Sequence, residues 1–162
     1  STGITQFPSS INNLKDLDTT FKKYPLRALS DEIDSYFDDE DYTILAFDYN
    51  LVLFYLDKHN QSYIVHSENY LEDYIVNELI EISYMSENEI NDLLDQEADV
   101  IICSPRMIKN GVVTKNELIN CEISDYKKNY KKIDTSIFIN NDNLQYYRDP
   151  YKEISLFIKQ DE

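Results

Sequence analysis

Apolar positions along this chain switch between a helical period and short continuous runs, and that alternation predicts a mixed fold. Ile11, Leu14, Leu17, Phe21 and Tyr24 recur at helical spacing behind Ser10, a residue suited to an N-cap, so a first helix is expected from Ile11 to about Tyr24. Pro25 opens a second, with Leu26, Leu29, Ile33 and Phe37 on its apolar side and Asp31, Asp34 and Asp38 along the other. Three runs rich in β-branched and aromatic residues follow: Thr43–Phe47, Leu51–Leu56 and Ser62–His66. Polar turns at 48–50 and 57–60 join them, which predicts an antiparallel meander. Ser67 then caps a helix to about Ile82, with Leu71, Tyr74, Ile75, Leu79 and Ile82 inward and Glu72, Asp73, Glu78 and Glu81 in water.

Ser86–Glu89 reads as a capping box that opens a shorter helix, its Ile90, Leu93 and Leu94 facing the core. Asp99–Cys103 predicts an apolar strand, and Gly111–Val113 another. Thr114–Glu117 repeats the capping-box pattern before a short helix through Leu118 and Ile119, and Ser136–Asn140 reads as a late strand. Asp149 before Pro150 predicts a closing helix over Tyr151–Lys159, while Lys127–Asp134 and Asn140–Asn143 are short polar links. The order implies an α+β fold, with helices on a small antiparallel or mixed sheet. It is read as a single compact domain over residues 1–162, with residues 1–8 a flexible segment.

Composition narrows the class. The 162 residues suit one domain, and 42% hydrophobic content with 14 Tyr and 7 Phe argues against a disordered acidic tail. Two glycines in the whole chain disfavour glycine-built phosphate loops and propeller or barrel architectures. No apolar run is long enough to predict a membrane-spanning helix, and the first residues lack the pattern of a secretion signal. Cys103 and Cys121 are too few and too far apart for a disulfide scaffold or a zinc site. Cys103, within an apolar strand, is expected as a buried, unreactive thiol, and a reducing cytoplasm as the setting.

Charge changes the picture most. The net charge is −16, yet residues 30–99 alone carry twenty acids against one base, Lys58, a net of −19. Residues 1–29 and 100–135 are mildly basic, and the last 27 residues mildly acidic. Repulsion within such a block costs stability, while its field attracts oppositely charged molecules. Asp31, Asp34, Asp38, Asp39, Glu40, Asp41, Glu72, Asp73, Glu81, Glu87, Glu89 and Asp92 are therefore the candidate partner-binding residues. The expected partner is a basic protein that processes nucleic acid: a nuclease, a toxin or a nucleic-acid-guided effector. Tyr36, Tyr42, Tyr70 and Tyr74 have the residue type and position of aromatic hot spots beside those acids. Carboxylates on successive helical turns, about 5.4 Å apart, also allow imitation of a phosphate ladder.

Other chemistry is sparse. His59 and His66 have no Cys or His at ligand spacing, and no cofactor or metal is expected. Lys127, Lys128, Lys131 and Lys132, interleaved with Tyr126 and Tyr130, suit phosphate contact or pairing with the acidic block. Net charge weighs against direct nucleic-acid binding. The segment Ile44-Leu-Ala-Phe-Asp-Tyr-Asn50 resembles the first motif of haloacid-dehalogenase-like phosphatases, which would make Asp48 a nucleophile. Ile101–Ser104 and Phe138–Asp142 look like later motifs of that family, and Asn50 stands where its second aspartate belongs. Leu53–His66 is similar to the strand–turn–strand segment of the Smi1/Knr4-like superfamily, which implies toxin immunity. An acidic inhibitor is the leading expectation, and a degenerate or weakly active phosphatase using Asp48 the alternative.

Overall fold

The structure, a computed structural model of the chain, describes residues 24–38, 41–63, 73–109, 112–115, 129–136 and 154–160. In chain order they form α1 (Pro25–Asp34), β1 (Ile44–Ala46), α2 (Leu51–Leu56), α3 (Asp73–Glu81), α4 (Glu89–Leu94), β2 (Val100–Cys103), β3 (Arg106–Lys109), β4 (Val112–Lys115), β5 (Tyr130–Ile133) and β6 (Ser155–Lys159). This is an α+β domain whose described residues hold four helices and a four-strand mixed sheet. The sheet runs β1-β2-β6-β5. β1 and β2 are parallel, whereas β6 is antiparallel to both of its neighbours. β3 and β4 make a separate antiparallel pair.

The sheet is buried on both faces, and its side chains divide with the strict period of two that a pleat imposes. Ile44, Ala46, Val100, Ile102, Leu156 and Ile158 face one way, into a core closed by Leu26, Leu29 and Ile33 of α1 and Val52 and Leu56 of α2. Leu45, Phe47, Ile101, Cys103 and Phe157 face the other, where Val76, Leu79 and Ile80 of α3 and Ile90, Leu93 and Leu94 of α4 cover them. The result is three layers: α1 and α2, then the sheet, then α3 and α4.

Each exposed edge of the sheet has a guard. Beside β1, the Asn60 side chain acts as a short strand: it accepts from the Ala46 N–H and donates to the Ala46 C=O, both at 2.8 Å. Gln61 N–H adds a bond to Ile44 C=O at 2.9 Å. β5 forms the other edge, and its exposed Lys131 and Lys132 blunt it with charge. Those lysines sit in a strand, not in the polar link expected over Lys127–Asp134.

Several expectations are corrected. Leu51–Leu56 is a helix, not the middle strand of a meander. An unbroken apolar run fits either state, and Asp57 closes this one by taking a left-handed backbone (φ 51°) that lets Lys58 N–H reach Leu53 C=O. Ser62 and Tyr63 are not in a strand, and residues 64–66 lie outside the described residues. Thr114 and Lys115 pair with Met107 and Arg106 in a strand instead of capping a helix. Ser155–Lys159 is not part of a closing helix but an inner strand, bonded on both sides by β2 and β5. Ser136 is not in a strand; the rest of the predicted late strand, residues 137–140, and the first predicted helix, residues 11–23, lie outside the described residues. So does the predicted flexible segment, residues 1–8.

Cys103 is buried, as expected, but it is disulfide-bonded and not a free thiol; the chain's other cysteine, Cys121, lies outside the described residues. The argument from a reduced thiol to a reducing compartment therefore fails. No helix among the described residues is long and apolar enough to cross a membrane.

Candidate functional site

The layering separates the acidic residues into two groups. Those described lie on two helical layers, one on each side of the sheet.

On the α1 side, Asp31, Asp34 and Asp38 are exposed past the buried Leu29–Ile33 stripe. Asp31 accepts an ion pair from Arg27, one turn earlier, at 3.3 Å. Asp34 accepts a 2.5 Å hydrogen bond from the Tyr42 hydroxyl. Asp41 is held by Lys58 at 2.6 Å, and that contact keeps its carboxyl below the usual carboxylate range. Lys58 also sits over the Tyr42 ring, 4.3 Å from its centre, while Phe37 stacks on Tyr42 with centres 4.1 Å apart. The single base of the acidic block is thus already engaged by a carboxylate and an aromatic face. Tyr42, expected as a hot spot, is buried; burial first, then Asp34, pushes its phenol up. Tyr36 is exposed, and Asp39 and Glu40 lie outside the described residues.

On the α3 side, Glu78 and Glu81 point to water from a helix whose Val76, Leu79 and Ile80 are packed against the sheet. Glu87 and Asp92 are exposed beyond it, Asp92 accepting from the Ser86 hydroxyl at 2.8 Å. Glu89 is the exception among the acids described here: it is 8% exposed and its carboxylate accepts the Ser86 N–H at 3.1 Å. It satisfies an otherwise open backbone donor, the returning half of the capping box read from the sequence, so it adds nothing to the surface. Asp73 opens α3, its side chain outside the described residues, as is Glu72 altogether.

The sequence assigned two residues of this side to the wrong surface. Tyr74 and Ile82, expected inward, are 68% and 66% exposed, while Val76 and Ile80, partly buried, are the side chains packed against the sheet. Tyr74 was also named as a hot spot, and its exposure suits that role; Tyr70 lies outside the described residues. Tyr63 and Tyr84, each 50% exposed, were not singled out at all. Their rings meet edge to face at 4.9 Å, and the Tyr63 hydroxyl donates to the Tyr84 carbonyl. Only the cap at the end of α3 brings Tyr84 to that position, so helical periodicity held no signal for it.

Neither long helix complements its own dipole. α1 and α3 have no base in their last turns, and both end on carboxylates: Asp31 and Asp34 in one, Glu78 and Glu81 in the other. A carboxylate at a helix C-terminus is unfavourable by about 0.3–1 kcal/mol. Asp99, by contrast, is structural: it accepts from Thr43 N–H at 2.8 Å and Thr43 Oγ1 at 2.7 Å, tying β1 to β2.

The phosphatase-like fragments acquire one geometric feature. Because β1 and β2 are parallel neighbours in register Ala46↔Ile102, Asp48 and Ser104 leave the sheet at the same end. Asp48 Oδ1 accepts the N–H of Tyr49, which stands in a left-handed backbone (φ 60°) that costs a bulky residue free energy. At the position of the family's second aspartate, Asn50 Oδ1 lies 3.5 Å from Asn60 Nδ2. Phe138–Asp142 lies outside the described residues, and His59 is exposed. Among the described residues no group of three or more His, Cys, Asp or Glu converges on a metal position. No protein-family model, curated protein or solved structure matches the chain.

Proposed function

We propose that this protein is an acidic inhibitor or immunity-like binding protein that neutralises a basic, nucleic-acid-processing protein. One observation carries the reading: two helices end on exposed carboxylates against their own dipoles, with no base in either last turn. Acids that oppose the local field lower stability, and attraction of a cationic partner is a benefit that offsets the cost. Division of the acids between two faces favours an inhibitor that presents one compact face over a long phosphate-ladder mimic. A cytoplasmic setting belongs to this reading without support from Cys103, which is disulfide-bonded.

The test is calorimetric titration of the full chain with a nona-lysine peptide over a series of salt concentrations. Binding that weakens steeply with salt is expected, and triple reversal of Glu78, Glu81 and Glu87 to Lys should weaken it by about tenfold or more without lowering the melting temperature. No binding at low salt would overturn the reading.

A second reading rests on the common exit of Asp48 and Ser104 from the parallel strand pair: a weakly active phosphate-ester hydrolase with Asp48 as nucleophile. Turnover of a generic phosphate ester with magnesium, lost on Asp48→Asn, would establish it.

A further inference from the structure

The α3 side carries an exposed apolar and aromatic strip that the fold leaves without a cover among the described residues. Tyr74 and Glu78 of α3 and Ile82, just past its end and bonded back by its N–H to Glu78 C=O at 3.1 Å, succeed one another at i, i+4 and i+8 along one line, with Glu81 beside them. At about 1.5 Å per residue the line is about 12 Å long. It continues into Tyr84, whose place is set by the end of the helix. Ser83 takes a left-handed backbone, its N–H bonds to Ile80 C=O at 2.9 Å, and Tyr84 N–H bonds to Leu79 C=O at 2.8 Å. That pair of bonds is a Schellman cap, and it holds Tyr84 against Tyr63. Tyr63 is held in turn by its hydroxyl's bond to the Tyr84 carbonyl. The two rings are therefore fixed before any partner arrives, which lowers the entropy cost of docking on them.

Charge identifies the occupant. From His59 to Pro105 the chain has eleven Asp and Glu and no Lys or Arg, so exposed Glu78 within the line, Glu81 beside it and Glu87 three residues after Tyr84 have no basic residue of that stretch to balance them. The exposed Phe54 on α2 offers a contrast: its ring contacts Tyr55, which Arg27 already overlies at 5.6 Å. We infer that the Tyr63–Tyr84 pair and the Tyr74–Ile82 strip form the docking surface for an arginine-bearing basic segment of a protein partner. Guanidinium groups lie flat on tyrosine faces while their N–H forks reach the glutamates. Arginine suits this better than lysine, because its planar ion is weakly hydrated and stacks, whereas an ammonium keeps its water.

This rests on the reading of the protein as a binder of basic partners, and the two can fail separately. The full chain is titrated with nona-arginine and nona-lysine peptides at equal salt. The arginine peptide is expected to bind about threefold to tenfold tighter. Tyr84→Ala should reduce that preference to within about twofold while leaving lysine binding in place. The double variant Tyr74→Ser with Ile82→Ser, whose side chains are exposed, should do likewise, and it serves if Tyr84→Ala melts early. Equal affinity for the two peptides in the parent chain overturns the tyrosine surface and leaves the acidic binder standing. Failure to bind either peptide overturns both. Self-association in sedimentation that the double variant abolishes would assign the strip to a second copy of the chain and also overturn the inference.

Discussion

On one face of the sheet, Arg27 and Lys58 lie among the acids, paired with Asp31 and Asp41 and laid over Tyr55 and Tyr42. On the other face, α3 and α4 contribute no base, and the bases there come from the sheet: Lys132 of β5 lies over the Phe157 ring at 5.8 Å, and Lys159 of β6 pairs with Glu97 at 3.2 Å. The packing differs in the same sense. Leu29 and Ile33 of α1 are fully buried, whereas Val76, Leu79 and Ile80 of α3 are only partly so. The first layer has its two bases engaged within it and is seated deeply. The second is more aromatic at its surface and shallower. Total acidity therefore says less about the character of each face than the placement of its few bases.

Core truncation should expose that difference most strongly. Leu29→Ala empties a fully buried site and should cost about 2–5 kcal/mol by denaturant unfolding. Ile80→Ala, at a half-buried site, should cost about 1–2 kcal/mol, because neighbouring groups and water share the space. Hydrogen exchange gives the same comparison without mutation: α3 amides should exchange faster than those of α1. Equal costs, or greater protection in α3, would show that the two layers are seated alike.

How far this arrangement was legible in the sequence depends on the element. α1 was readable because Pro25 marks its first turn and Leu26, Leu29 and Ile33 repeat at helical spacing up to a polar end. β2 was readable as a short apolar run behind a polar boundary. α2 and β6 were not, since six and five residues are too short for periodicity to separate helix from strand. The pairing partners of β6 decide its state, and those lie more than fifty residues earlier and more than twenty earlier. Of the site, the acidic block was plain, but its split into two faces was not, because that depends on which side of the sheet each helix crosses. Glu89 looked like its neighbours, and only its return bond to Ser86 removes it from the surface.

Alkaline pH compares the layers through two tyrosines. Tyr42 belongs to the α1 side and Tyr130 to the other, where its hydroxyl donates to Ala98 C=O at 2.6 Å. Burial first, then Glu97 and Asp99, pushes the Tyr130 phenol up to about 12; burial and Asp34 push Tyr42 upward as well. Both folded values lie above the unfolded one, near about 10. The folded state thus holds these protons more tightly, so their stabilising contribution is complete below about pH 10 and is lost as pH rises through about 12. Tyrosinate absorbance should show most of the 14 tyrosines ionising before these two. Tyr130→Phe should flatten the fall of stability in that window, and a fall as steep as the parent's would remove Tyr130 as a cause.

The smallest expected effect lies at the cap of α3. Glycine is the residue that adopts a left-handed backbone at no steric cost, yet this chain places Asp38, Tyr49, Asp57, Ser83 and Glu97 there. At Ser83 the conformation is required, because it turns Ser83 N–H toward Ile80 and Tyr84 N–H toward Leu79. Ser83→Gly should relieve the strain and stabilise the domain by about 0.5–1 kcal/mol, the gain being reduced by the greater freedom of glycine in the unfolded chain. For a chain of this length that is about 1–4 °C in melting temperature. The substitution removes no group from the Tyr63–Tyr84 surface, so affinity for the arginine peptide should stay within about twofold of the parent's. A lower melting temperature would mean that the serine side chain contributes more at the cap than its backbone conformation costs. A large change in peptide affinity at unchanged stability would mean that the position of Tyr84 depends on this residue beyond the two backbone bonds.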